Sequence, residues 1–260
     1  MVEPVLEEIL MAKRRSVEKA RQALPLTELV RQARETDPPR DFKAALMAAG
    51  LSIITEVKRA SPSRGVIAEQ VDISHLARQF QEGGASAVSV LTEEDFFSGT
   101  LDDLRRVKDA IQLPVLRKDF IFDPYQVWES RIAGADAVLL IASMFDLAPL
   151  RQLILLARQL QLTPLVEIHE LEELGRAMDA GADVIGVNAR NLSNFAVDLR
   201  VPLSLAPLIP PGIIKVAESG IKTREDVVQL QQVGYEAILI GETLMRAEDP
   251  IQKLRELVAK

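Results

Sequence analysis

Four charged side chains stand where apolar ones are expected. Glu56, Lys58, Lys118 and Glu167 fall at or near the ends of short apolar, β-prone runs at 51–58, 114–120 and 163–167. Such segments rarely carry charge unless a partner compensates it, and the partner inferred here is a substrate. Two carboxylates and two amines suit acid–base chemistry built from side chains alone, because a lysine beside a carboxylate at a partly buried site has the tunable pKa that a lysine acid or base needs. For any one of these residues a structural salt bridge at a sheet rim is an equally good reading; the four together point to a site. The chain has no cysteine and two histidines, so a thiol nucleophile is excluded and no metal centre is expected. His75, inside a helical pattern, is read as a surface residue. His169, two residues past Glu167, is read as structural. Trp128 lies at helical spacing and is assigned to packing. Phe96, Phe97 and Phe120 follow two of the strands, either as loop anchors or as walls of a ring-binding pocket.

Groups so far apart in sequence need a scaffold that brings them together. Four segments, 82–90, 133–140, 180–187 and 233–240, repeat one pattern: a helix end marked by glycine, a tight turn and a buried strand. They recur at intervals of roughly fifty residues. Between them lie the apolar runs 51–58, 114–118, 163–167 and 213–218, giving eight strands. Helical patterns at 73–82, 100–111, 124–132, 147–160 and 223–232 fill the gaps, and Thr223-Arg-Glu-Asp226 reads as a capped helix start. The expected fold is therefore α/β, a (β/α)8 TIM barrel forming one domain over residues 1–260. An open doubly wound sheet is the alternative, but no G-x-G-x-x-G follows the first strand. Residues 1–50 form an N-terminal helical extension packed on the barrel. It has helical spacing at Leu6, Ile9 and Leu10, later at Leu26 and Leu29, a turn at Asp37-Pro-Pro39, and a last helix at 41–49 capped by Gly50. Lys13-Arg-Arg15 is assigned to a solvated helix face.

In such a barrel the active site lies at the C-terminal strand ends. Glu56 and Lys58 share parity on the first strand and so point the same way. Lys118 ends the third strand, Glu167 the fifth, and Asn188 and Arg190 the sixth. The seventh ends in Ala217-Glu-Ser-Gly220 and the eighth in Ile240-Gly-Glu242, where glycine leaves backbone N–H groups open to an anion. The length of 260 residues and 48% hydrophobic content allow a large core, and a formal charge of −7 opposes nucleic acid or an anionic membrane as partner. A small anion can still use a local basic pocket. Glu3, Glu7 and Glu8 fit neither a secretory signal nor a transit peptide, and charges interrupt every apolar run; a cytoplasmic location is expected.

Together the segments Ile54-Thr-Glu-Val-Lys-Arg-Ala-Ser-Pro-Ser63, Leu116-Arg-Lys-Asp-Phe-Ile121, Val166-Glu-Ile-His169, Gly186-Val-Asn-Ala-Arg-Asn191 and Ala217-Glu-Ser-Gly-Ile221 resemble the indole-3-glycerol phosphate synthases, over nearly the whole chain. The resemblance implies closure of the indole ring in tryptophan biosynthesis, with loss of carbon dioxide and water and no cofactor or metal. It implies Lys118 as general acid, Glu167 as base, Lys58 as a second acid serving dehydration or the phosphate, and Glu56 as the group that orients the lysines. The division of labour within each pair stays open. Ser61, Asn188 and Arg190 would bind the substrate through polar groups, while Phe97, Phe120, Leu139 and Leu192 would wall the aromatic ring. Ser219, Gly220, Gly241 and Glu242 would hold phosphate; some members have serine at the position of Glu242, so its backbone would serve and its carboxylate would point away from the anion. The implied partner is a small phosphorylated substrate, and the chain is expected to be a monomer, with weak dimerisation as the alternative. Rival readings are phosphoribosylanthranilate isomerase, a Schiff-base aldolase and a non-catalytic ligand-binding barrel.

Overall fold

The computed structural model describes residues 4–48, 50–61, 65–66, 71–191 and 194–258, with backbone alone for Pro4, Val5, Ser61 and Val66. Eight parallel strands close into a barrel: β1 (Ser52–Val57), β2 (Ala87–Leu91), β3 (Val115–Lys118), β4 (Ala137–Ile141), β5 (Thr163–Ile168), β6 (Val184–Asn188), β7 (Ile214–Glu218) and β8 (Ala237–Ile240). Each pairs with its sequence neighbours, and β1 pairs with both β2 and β8, so no edge is left open. The eight-strand alternation expected from the repeats is the alternation observed. A two-stranded antiparallel ribbon, Ala60–Ser61 with Gly65–Val66, follows β1.

Twelve α-helices are described: α1 (Pro4–Ala23), α2 (Leu26–Glu35), α3 (Phe42–Leu46), α4 (Ile73–Gly83), α5 (Leu101–Ala110), α6 (Pro124–Ile132), α7 (Leu147–Gln159), α8 (Leu171–Asp179), α9 (Arg200–Leu205), α10 (Arg224–Gln232), α11 (Glu242–Met245) and α12 (Pro250–Val258). Their starts are set locally. Thr223 and Asp226 form a reciprocal capping box on α10, as do Thr100 and Asp103 on α5, each satisfying donors that the first turn leaves open. The last helix of the extension is shorter than its pattern suggests. Asp41 caps α3 through Ala44 N–H, but the helix ends at Leu46 with Met47 as its C-cap, and Gly50 at φ +97° belongs to the turn into β1 rather than to a helix cap.

Two apolar layers result. The outer one packs helices on strands, with Phe80, Leu104, Ile154, Val166, Ile185 and Leu230 buried among them. The inner one fills the barrel with Ile54, Leu116, Leu165, Val184, Val216 and Leu239, and Phe42 and Leu46 of α3 join it. Ser52 at the start of β1 donates its hydroxyl to Ala45 O, which fixes α3 beneath the N-terminal end of the barrel. Helix α1 goes to the opposite end. Its Leu6 and Ile9 pack with Phe97, Phe120 and Leu139, and its Val17 packs with Leu29 of α2 and Tyr125 of α6. The solvated face assigned to Lys13-Arg-Arg15 is corrected at its first residue: Arg14 and Arg15 are exposed, but Lys13 is 6% exposed and lies 2.8 Å from Asp119 Oδ1. A buried acid at the end of β3, itself tied to Arg117, outcompetes water for this ammonium.

Candidate active site

The C-terminal mouth of the barrel holds a cavity of about 610 Å³. Glu56, Lys58, Lys118, Glu167, Asn188 and Arg190 all line it, so the strand-end residues picked out by parity converge. The register explains this convergence. Leu91 pairs with Lys118, Ile141 with Glu167 and Asn188 with Glu218, which sets these groups at similar heights around the closed sheet. Lys58 Nζ donates to Glu56 Oε1 at 2.7 Å. Lys118 Nζ donates to Glu167 Oε2 at 2.6 Å and to Glu218 Oε2 at 2.9 Å.

Glu218 is the residue that sequence reasoning missed. It lies within Ala217-Glu-Ser-Gly220, where the glycine is the more conspicuous residue. The signal was available, because Glu218 is a carboxylate ending an apolar strand, the same test that selected Glu56 and Glu167. Two glycines make room for the acids. A Cβ on Gly186 would lie 2.0 Å from Glu218 Oε1, and one on Gly241 would lie 2.4 Å from Glu56 Oε1.

Burial sets the electrostatics. Desolvation works against the Lys118 ammonium, yet the carboxylates of Glu167, Glu218 and Glu56 outweigh it and raise its pKa. Burial acts to raise Glu167, but Lys118 and His169 hold its carboxyl well below the usual range. Glu218 goes the other way: burial, together with the Glu167 charge and against the pull of Lys118, pushes it up to about 7. One lysine thus faces a carboxylate held ionised and a second poised near neutrality, and such a pair titrates as a unit.

The rest of the mouth is divided between ring-sized and anion-sized parts. Phe97 and Phe120 lie with ring centroids 6.1 Å apart and, with Leu139, Leu6 and Ile9, form an apolar wall. Phe96 packs against the same inner layer rather than lining the cavity. Across from it, Ser219 and Gly220 take successive left-handed conformations, φ 67° and 78°. They and Gly241 line the cavity, as Glu242 does. The Glu242 carboxylate is engaged by two guanidiniums. Its Oε2 accepts from Arg190 Nη2 at 3.2 Å and its Oε1 lies 3.5 Å from Arg246 Nε, because two guanidiniums line this side of the mouth. Arg190 also donates to Phe195 O, and its N–H donates to Asn188 Oδ1 at 2.9 Å. The expectations for Leu192 and for the Ser61 side chain lie outside the described residues. His75 is exposed, and Trp128 packs against the Val17, Leu29 and Tyr125 cluster. Among the described residues no group of three or more His, Cys, Asp or Glu is arranged to hold a metal ion.

A family model described as indole-3-glycerol phosphate synthase matches residues 6–257. The chain belongs to the indole-3-glycerol phosphate synthase family. A relative of that name from Carboxydothermus hydrogenoformans is 44% identical over 98% of this chain and 99% of its own. One from Kineococcus radiotolerans is 45% identical over 98% of this chain and 95% of its own. The family comprises carboxy-lyases of tryptophan biosynthesis, and the resemblance carried by the strand-end motifs holds at that level. Among solved structures, 3-hexulose-6-phosphate synthase from Salmonella typhimurium superposes with a TM-score of 0.64 at 13% identity, over 80% of this chain and 96% of that one. Thiamine phosphate pyrophosphorylase from Pyrococcus furiosus gives 0.60 at 18% identity, over 80% and 93%. These likenesses are of fold alone.

Proposed function

We propose that the chain converts 1-(2-carboxyphenylamino)-1-deoxyribulose 5-phosphate to indole-3-glycerol phosphate by general acid–base catalysis, without a cofactor. The observation that carries this reading is Lys118, whose ammonium is held by Glu167 and Glu218 at 2.6 and 2.9 Å on the floor of a cavity with one aromatic wall. Attack of the carboxylate-bearing ring carbon on the ketone makes an alkoxide, which Lys118 protonates as it forms. Neutralising charge as it develops is where a positioned acid contributes most, on the order of 10² to 10⁴ in rate. Loss of carbon dioxide then returns the electron pair to the ring. Dehydration needs an acid for the departing hydroxyl, assigned to Lys58, and a base for the remaining proton, assigned to Glu167. Glu56 holds Lys58, and Glu218 holds Lys118, to which the proton gained by Glu167 returns at the end of the cycle.

Binding follows from the same walls. The aromatic ring rests against Phe97, Phe120 and Leu139, with Leu192 assigned to the same wall. Asn188, Arg190 and Ser61 bind the carboxylate and hydroxyl groups. Phosphate lies by Ser219, Gly220, Gly241 and the backbone of Glu242, and the two guanidiniums that hold the Glu242 carboxylate offer positive charge beside it. Among the described residues no helix is long and apolar enough to cross a membrane; we place the enzyme in the cytoplasm, as a single domain acting as a monomer.

The test is purified protein with the anilino-deoxyribulose phosphate, following indole fluorescence and carbon dioxide release. Stoichiometric appearance of both is expected. Consumption without fluorescence, or a lysine adduct trapped by borohydride, would replace this reading with an isomerase or an aldolase. The aldolase is disfavoured on physical grounds, because a Schiff-base lysine must be a neutral amine and the carboxylates around Lys118 favour the ammonium.

A further inference from the structure

His169 stands next in line behind the proton acceptor. It immediately follows β5, and its ring Nε2 lies 3.3 Å from Glu167 Oε1, at ion-pair distance but not aligned as a hydrogen bond. On its far side Nδ1 lies 3.2 Å from Glu173 Oε2, and the same oxygen accepts the His169 backbone N–H at 2.6 Å. Glu173 belongs to α8 and is itself 6% exposed. The Glu167 carboxylate is therefore gripped at both oxygens: Oε2 by Lys118 and Oε1 by the imidazole. His169 does not line the cavity, and it meets the site through Glu167.

The surroundings favour a charged ring. Burial opposes the imidazolium, but the carboxylates of Glu167 and Glu173 outweigh it and push the His169 pKa up to about 10. Among the described residues no cation is turned against it. Arg176, the next charged residue along α8, points to Ala142 O and Glu172. The β4 end offers apolar Ile141 and Ala142, and the β6 end offers neutral Asn188. Lys118 lies beyond Glu167 and is engaged by it and by Glu218.

We propose that His169, held as an imidazolium by Glu173, is a positioning residue that fixes the Glu167 carboxylate opposite Lys118 and keeps it ionised until the reaction delivers a proton. The inference rests on Glu167 being the base. Its consequence is that one side chain outside the cavity controls both the orientation and the charge state of the group that accepts the proton. Glu173 then acts one step further back, through His169.

The chain's two histidines make this directly readable. In ¹⁵N-edited spectra of the wild type at pH 8, with His75→Gln assigning the other ring, both nitrogens of His169 carry protons. A neutral ring overturns the proposal, and this readout stands whether or not the protein turns over the proposed substrate. In kinetics His169→Gln lowers kcat at least about tenfold, as loss of orientation does, with KM within about threefold. The acid limb of its pH–rate profile, which belongs to the coupled Glu167–Glu218 pair, moves to higher pH, since the pair has lost one of the cations beside it. Glu173→Gln gives a smaller loss of the same kind, and the double variant is no slower than His169→Gln alone. A stability loss with kcat and the acid limb unchanged would reduce His169 to a structural residue and overturn the proposal. Should His169→Gln fail to fold, Glu173→Gln and the wild-type spectrum decide it.

Discussion

Lys118 sits where three carboxylates can reach it, and the partition of charge among them governs what the site does at neutral pH. Glu167 is held ionised by two cations, while Glu218, buried and beside another carboxylate, is pushed up to about 7. The coupled pair therefore takes up its first proton in the working range, and that proton resides on Glu218. Below pH 7 a protonated Glu218 no longer offers Lys118 a charged acceptor, so kcat/KM is expected to fall on that side with a midpoint near 7. In Glu218→Gln the limb disappears and the rate stays low across the range; retention of the limb would assign it to another group. The sequence showed the strand-end charges because a period of two and an apolar background make them stand out. It did not show which carboxylate meets which lysine, since the pairing of Lys118 with Glu167 and Glu218 spans 49 and 100 residues. For Glu242 the ion pair with Arg246 is a local i,i+4 contact, whereas spacing does not reveal the one with Arg190, 52 residues back.

Two contacts between elements hold the catalytic strands in place. At Gly186, β6 passes so close to the end of β7 that a methyl group would overlap Glu218 Oε1 and crowd Leu165 at 3.3 Å. Gly186→Ala is thus expected to move the Glu218 carboxylate, cost about 1 to 3 kcal/mol as overpacking does, and lower kcat at least about tenfold. Denaturant unfolding with steady-state kinetics checks both, and an unchanged kcat would show that Glu218 tolerates displacement. The second contact joins the extension to the barrel. Lys13 of α1 reaches Asp119, the residue after Lys118, and Leu6 and Ile9 of the same helix line the cavity. Asp119 keeps Arg117 when Lys13 is removed, so Lys13→Met should cost about 2 kcal/mol, less than the 3 to 5 typical of stripping a buried charge of its partner. A change under 0.5 kcal/mol in the same unfolding measurement would make the contact incidental. Helical spacing revealed α1 but not its destination. A basic triplet on a helix reads as solvated unless the buried acid it meets, more than a hundred positions away, is already placed.

Across the whole molecule the barrel was the most legible feature. Four glycine-turn-strand repeats alternating with four apolar runs leave few ways to bury eight parallel strands, and closure removes both edges. Its acid limit follows from charges sealed beneath the mouth. Burial acts to raise Asp119, but Arg117 and Lys13 outweigh it and hold it at about 2, below its ordinary 3.8. A depressed carboxylate stabilises the fold above about pH 3.8, and this contribution is lost as pH falls toward 2. Melting temperature should therefore drop through that window in the wild type, and in Lys13→Met the drop should be smaller and end at higher pH, because only the folded-state pKa of Asp119 rises; coincident curves would mean Arg117 alone sets the acid limit. The role of Lys118 as the general acid is tested by the turnover of Lys118→Ala in the ring-closure assay, with folding verified by its melting curve. Its kcat is expected to be lower by at least about a hundredfold, the low end for loss of a positioned general acid. A folded Lys118→Ala protein with kcat near wild type would contradict that role.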